Sequence, residues 1–340
     1  MLPAASAWSD PAWLAAFTDW ARARLEALGR RVVGPPEQPH IRPWSTVVRL
    51  PTDAGPAWAK AMRPGTAHEA SLLPAFQSWG VGSVVPPLAA DAARGWLLLE
   101  DGGTTLRATR PDGEGDRDLD AWAGILAAYA ELQRSVETRA GELLGLGVPD
   151  GRPETLDATL DRLIATDVWW VLVDDDERGA TDAAREALRA FGPWVAERAG
   201  ELAHSGIHST IQHDDLHGGN VFVGPAGVRF FDWGDAVVGH PFASMVTTLN
   251  SIAYRLGIEA DDRRLDRLRD AYLEGWTDVV PGRVLRDVLA TAIDLGRIGK
   301  AAAWARALDG LDPADMAGHG GAPALWLADL VDRVGPQRGR

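Results

Sequence analysis

His213-Asp214-Asp215-Leu216-His217-Gly218-Gly219-Asn220 and, a little further on, Phe231-Asp232-Trp233-Gly234-Asp235 hold most of the chain's chemistry. Between them, Val221 to Val223 and Val228 to Phe231 are β-forming runs joined by Gly224-Pro225-Ala226-Gly227, a hairpin signal. The hairpin brings acids and one amide close together. Asn220 and Asp232 can hold a hard cation such as magnesium, with nucleotide phosphates and water completing its octahedron. Asp215 stands in the loop before Asn220, placed to orient and deprotonate a hydroxyl as a general base. Phosphoryl transfer asks little else of a protein, because alignment and charge neutralisation do most of the work.

Such a reaction also needs a cation on the nucleotide phosphates. Of the 34 basic residues only Lys60 and Lys300 are lysine, so arginine serves almost everywhere else. Lys60 sits in the apolar run Ala57-Trp58-Ala59-Lys60-Ala61, where an unpaired ammonium is costly, and the next expected helix brings Glu69. A Lys60–Glu69 ion pair resolves that cost, with phosphate as the lysine's second partner. An ion pair that only ties strand to helix would use the same residues.

The 340-residue length suits two packed lobes. Hydrophobic residues make up 46%, yet no apolar run reaches about eighteen residues and no basic-then-apolar leader follows Met1, so a cytoplasmic, non-membrane protein is expected. Without cysteine there are no disulfides, thiolate metal sites or thiol nucleophiles. A formal net charge of -14 disfavours nucleic acid as a partner and favours a cationic small molecule.

Along the chain, Pro11 to Leu28 carries apolar residues at helical spacing with Asp10 as its start signal. Gly34 to Pro43 reads as a proline-rich connector, and Trp44 to Leu50 with Ala57 to Met62 as a hairpin. A helix is expected from Thr66 to Trp79, with Thr66 and Glu69 at capping-box spacing. Val84 to Leu88 and Trp96 to Leu99 are expected strands, the second ending in the hinge-like Glu100-Asp101-Gly102-Gly103. Beyond Gly103, helical periodicity runs through Leu119–Val136, Thr155–Thr166, Ala183–Leu202, Pro241–Leu256, Arg263–Trp276, Val284–Leu308 and Pro313–Val334. The acidic run Asp174 to Glu177 reads as a solvated loop.

These motifs, in this order, resemble those of the aminoglycoside phosphotransferase and choline-kinase-like family. The resemblance implies an α+β, protein-kinase-like two-lobe fold: residues 1–33 a helical extension, 34–103 a nucleotide-binding lobe, and 104–340 a helical lobe with the catalytic loop. It implies ATP and Mg2+ as cofactors, with GTP left open, and a hydroxyl acceptor such as an aminoglycoside, amino sugar or choline-like alcohol. Lys60 and Glu69 fall on the family's strand lysine and helix glutamate, Leu97 to Asp101 on its adenine-binding hinge, His213 to Asn220 on its catalytic loop, and Asp232 on its magnesium aspartate. Glu100 and Gly102 belong to that hinge region. Two departures stand out. Asp214 occupies the place of the family's usual glycine, and no glycine-rich turn covers the phosphates, so Ser45 and Thr46 are the expected phosphate contacts. His213 is expected as a scaffold, while His217, Trp169, Trp170 and Asp175 are candidate acceptor contacts, the tryptophans as an aromatic wall.

Two other readings compete. His204, His208, His213, Asp214 and His217 would ligate a transition metal in a phosphohydrolase, which leaves Lys60 and Glu69 unexplained. A catalytically inactive nucleotide-binding regulator should lack the base, the metal ligands or the lysine, and all are in the sequence.

Overall fold

The computed structural model describes residues 5–109, 116–225, 227–316 and 318–335; Met1, and Ala226 of the expected hairpin signal, lie outside them. Helix α1 (Pro11–Ala27) begins as its sequence dictates: the Asp10 carboxylate accepts the Trp13 N–H at 2.8 Å, and Pro11 opens the first turn. Five strands follow, β1 (Glu37–Ile41), β2 (Ser45–Leu50), β3 (Ala57–Met62), β4 (Pro87–Asp91) and β5 (Trp96–Glu100), in the order β1-β2-β3-β5-β4, with α2 (Glu69–Ser78) between β3 and β4 in the chain. Every pairing is antiparallel.

Strand alternation assigns the two faces of this sheet. Ala57, Ala59 and Ala61 with Val48, Leu50 and Leu98 form a flat outer face on which Phe17, Trp20 and Leu25 of α1 pack. Trp96 meets Phe17 and Trp20 edge-on, with ring centroids 5.1 and 5.5 Å apart. The alternate residues, Lys60 among them, consequently face the other lobe.

The small lobe departs from expectation in three places. The proline-rich connector contains β1; Pro39 is tolerated because β1 is an edge strand with β2 as its neighbour. The strand placed at Val84 to Leu88 starts at Pro87, and Val84 makes only an isolated bridge to Phe230. Thr66 does not cap α2. The helix starts at Glu69, and its carboxylate turns inward instead of back toward Thr66.

The larger lobe runs α3 (Asp116–Ser135), α4 (Ala140–Gly145), β6 (Asp150–Gly151), α5 (Leu156–Ala165), α6 (Asp167–Val171), α7 (Asp175–Leu188), α8 (Gly192–Ala203), β7 (Thr210–Gln212), β8 (Val221–Gly224), β9 (Gly227–Phe230), β10 (Val237–Gly239), α9 (Met245–Leu256), α10 (Asp266–Glu274), α11 (Gly282–Leu308) and α12 (Ala322–Val334). The helix expected over Ala183–Leu202 is two, α7 and α8: Pro193 has no N–H to continue the hydrogen-bond ladder of α7 and sits in the first turn of α8. The acidic run is no loop: Asp175, Asp176 and Glu177 form the first turn of α7, where carboxylates meet the positive end of the helix dipole. Short helices α4 and α6 carry too few turns to show periodicity.

The lobes meet where the β3–α2 loop touches α11. A Cβ at Gly65 would lie 2.0 Å from the Arg306 carbonyl oxygen, so only glycine fits. Gly65→Ala is therefore expected to cost about 1–3 kcal/mol, read as a lowered Tm in thermal unfolding. Among the described residues no helix is long and apolar enough to cross a membrane.

Candidate active site

Strand β7 delivers the chain into the loop His213–Asn220 between the lobes. His213 is buried, and its backbone N–H donates to the Tyr129 hydroxyl at 2.8 Å. Its Nε2 donates to the Phe231 carbonyl at 2.8 Å, which leaves Nδ1 to accept the Asp215 N–H at 3.4 Å. Burial lowers its pKa and keeps the ring neutral. With both nitrogens in use, His213 staples the loop to the strand that leads to Asp232 and has no lone pair for a transition metal.

Asp214 has φ 60°, the left-handed region where glycine is the usual occupant and aspartate is tolerated. Its carboxyl is buried, and Oδ2 has no hydrogen-bond partner among the described residues. Burial, only partly offset by Lys300, pushes its pKa up to about 7. The folded protein thus holds this proton up to about pH 7, whereas the unfolded chain releases it near pH 4. Stability attached to Asp214 is present below pH 4 and lost as pH rises toward 7 and beyond. Asp214→Asn is expected to exceed the parent by up to about 4 kcal/mol at pH 8 and to match it near pH 4, as measured by urea unfolding at both values.

Asp215 is held at both carboxylate oxygens. Oδ1 is 3.1 Å from Lys300 Nζ; Oδ2 accepts from Asn220 Nδ2 at 3.2 Å and lies 3.5 Å from His217 Nε2. Burial alone would raise this carboxyl, but Lys300 and then His217 outweigh it and hold the group well below the usual carboxylate range. Asn220 uses its amide nitrogen on Asp215, a contact that leaves Oδ1 available as a ligand. Across the hairpin, Asp232 also lies in the left-handed region, at φ 66°, with its side chain half exposed.

The small lobe supplies the opposing cation. Lys60 Nζ lies 2.5 Å from both Glu69 Oε2 and Asp232 Oδ1. Burial works against its charge, but the Asp232 and Glu69 carboxylates prevail and raise its pKa. The other oxygen of Glu69 accepts the Trp233 N–H at 2.9 Å, so α2 is anchored to the Asp232 turn as well as to β3. The cleft between these groups, about 90 Å3, is lined by Ser45, Lys60, Asp215, Asp232, Asp235 and Lys300, with Trp44 and Trp304 at its side. The donor set suits magnesium: hard oxygens of Asn220 and Asp232, with a cation already drawn onto Asp232.

Other expected residues fall elsewhere. Ser45 lines the cleft, but Thr46 is buried on the outer face, where its hydroxyl donates to the His40 carbonyl and accepts from Gln38, so it is not free for phosphate. The Glu100 side chain pairs with Arg30 at 2.5 Å, leaving the hinge its backbone. Gly102 lies against Phe222, whose ring a Cβ would meet at 1.9 Å, and Phe222 stacks on Phe231 at 4.0 Å. Trp169 and Trp170 are core residues. Trp170 Nε1 donates to the Leu163 carbonyl at 3.2 Å, and Trp169 borders a separate cavity of about 720 Å3. Asp175 is exposed on α7 and pairs with Arg178 at 3.2 Å. None of these last three reaches the cleft. Trp44, Asp235, Lys300 and Trp304 also line it and were not among the expected contacts. Lys300 gave a signal in its rarity and Asp235 in its place beside Asp232, whereas Trp44 and Trp304 gave none.

A five-stranded antiparallel lobe over a helical one, with a lysine, a helix glutamate and two hairpin carboxylates converging between them, defines the class: a protein-kinase-like two-lobe α+β fold. The chain belongs to the phosphotransferase enzyme family, whose profile matches residues 42–281. It is thus a phosphotransferase. Its structure is similar to that of an ethanolamine kinase from Plasmodium vivax, with TM-score 0.58 and 12% identity over 87% of this chain and 82% of that one. A macrolide 2'-phosphotransferase from Brachybacterium faecium aligns with TM-score 0.51 and 16% identity over 91% and 97%. An amicoumacin kinase in complex with AMP-PNP, Ca2+ and Ami aligns with TM-score 0.52 and 12% identity over 94% and 95%. At these identities the structural likeness speaks for the fold alone. No curated protein sequence matches significantly.

Proposed function

We propose that this phosphotransferase moves the terminal phosphoryl group of ATP, with Mg2+, to a hydroxyl of a small molecule. The observation that carries the reading is the meeting of Lys60 with both Glu69 and Asp232 at 2.5 Å, beside a loop that presents Asp215 and Asn220. Lys60 would bind the nucleotide phosphates, and Glu69 keeps it aimed. Asn220 and Asp232 would hold the magnesium, which when bound neutralises phosphate charge. Asp215 receives the acceptor's O–H as a hydrogen bond and fixes the attack angle. Because Lys300 and His217 make this carboxylate a weak base, orientation is its larger task, and it takes the proton only as the new P–O bond forms. His213 keeps the loop and the Asp232 strand in register throughout.

The acceptor side is supported by Trp44 and Trp304, whose rings meet edge-on with centroids 5.4 Å apart at the cleft. They offer the aromatic wall first sought in Trp169 and Trp170, suited to a sugar ring or an alkylammonium. The net charge of -14 favours the cationic members of that class, amino sugars, aminoglycosides or choline-like alcohols. Measuring ADP formation from Mg-ATP against a panel of such compounds, together with neutral sugars and alcohols, tests this. Acceptor-dependent ADP with a matching phosphorylated product is expected; ADP formation that ignores every hydroxyl compound would count against transfer to a small molecule.

A further inference from the structure

Lys300 lies on α11, 85 residues beyond Asp215 in the chain, yet its ammonium ends in the catalytic loop. Nζ donates to Asp215 Oδ1 at 3.1 Å, to Asp235 Oδ2 at 2.9 Å and to the Asp214 carbonyl at 2.9 Å. An ammonium has three donors, and these acceptors take all of them. The side chain is only 4% exposed, so a charge there persists because it is fully partnered. Asn220 holds the other oxygen of Asp215, so the carboxylate that meets the acceptor is pinned from the loop on one side and from α11 on the other.

Composition points the same way. The chain has two lysines among 34 basic residues, and both ammonium groups lie in this one cleft, Lys60 on Asp232 and Lys300 on Asp215. Where a cation serves only solubility or a surface pair, arginine stands. At Lys300 three acceptors converge on one atom, and a planar guanidinium, whose donors are spread over a fork, cannot meet that geometry.

We propose that Lys300 is a positioning residue of the phosphoryl-transfer site: bound to Asp235 and the Asp214 carbonyl, its ammonium fixes the Asp215 carboxylate in the orientation that receives the acceptor hydroxyl. This rests on the function proposed above. Asp235 is the counterweight that keeps the ammonium centred between two carboxylates. The base is thereby tied to α11, the helix that also packs against Gly65 of the small lobe.

The test uses Lys300→Met and Lys300→Arg, with Mg-ATP and water as acceptor, or the best acceptor of the panel. In Lys300→Met, kcat for ADP formation is expected to fall about 10²-fold, the cost of a misplaced catalytic group, while the Kd of a fluorescent ATP analogue stays within about threefold. Lys300→Arg should not restore kcat. A crystal structure of Lys300→Met should show the Asp215 carboxylate turned from its present position on an unchanged loop backbone. The proposal is overturned if kcat is retained, if kcat and nucleotide affinity fall together, if arginine restores full turnover, or if Asp215 stays in place. Should Lys300→Met fail to fold, Asp235→Asn removes one arm of the clamp, and an unchanged kcat there overturns it equally. If the parent protein forms no ADP with any acceptor, the phosphotransfer reading fails, and the position of Asp215 in the variant crystal still judges the clamp by itself.

Discussion

Asp215→Asn is expected to lower turnover about 10³-fold while the affinity for ATP changes by less than about threefold. The amide keeps the size of the carboxylate but offers the acceptor hydroxyl a weaker hydrogen-bond acceptor and no place for its proton. Nucleotide affinity is spared because Lys60, Asn220 and Asp232, the groups assigned to phosphate and metal, keep their places. The fold should survive as well, since Lys300 retains Asp235 and the Asp214 carbonyl as partners. Single-turnover ADP formation beside calorimetric ATP titration separates the two quantities. Near-normal turnover would remove the role given to Asp215.

Lys60→Met is expected to act on both stability and chemistry. Its removal leaves Glu69, nearly fully buried, without the ammonium that balances it, and breaking a buried pair costs about 3–5 kcal/mol. Glu69, whose pKa burial already pushes up, can limit the loss by taking a proton, so the penalty should shrink as pH falls. On the chemical side, loss of the phosphate cation should weaken ATP binding together with turnover, the latter by about 10²–10³-fold. The contrast with Asp215→Asn is in binding: one variant loses it and the other keeps it. Urea unfolding at pH 5 and 8 with parallel ATP titrations checks both arms.

What was legible in the sequence is local. Asp215, Asn220 and Asp232 lie on either side of one short hairpin, so their proximity follows from strand pairing. Lys60 and Glu69 could be joined because an ammonium in an alanine strand demands a nearby carboxylate. What was hidden depends on contacts between distant segments. Lys300 reaches Asp215 from a helix whose periodicity says nothing about which polar residue faces the cleft. Trp304 shares that difficulty, while Trp169 and Trp170, adjacent to an acidic run, proved to be core. Ser45 and Thr46 were both expected at the phosphates; which of them faces the cleft depends on which face of β2 α1 covers, and alternation alone leaves that undecided. Prolines misled twice, in β1, where an edge strand tolerates Pro39, and at Pro193, where helical periodicity continues across a break.

The most direct measurement is a crystal structure with Mg2+ and AMP-PNP. Lys60 should then leave Asp232 for the nucleotide phosphates while keeping Glu69, and the metal should sit on Asn220 and Asp232 with Asp215 facing the terminal phosphoryl group. A nucleotide bound away from Lys60, or a metal that touches neither Asn220 nor Asp232, would contradict the account.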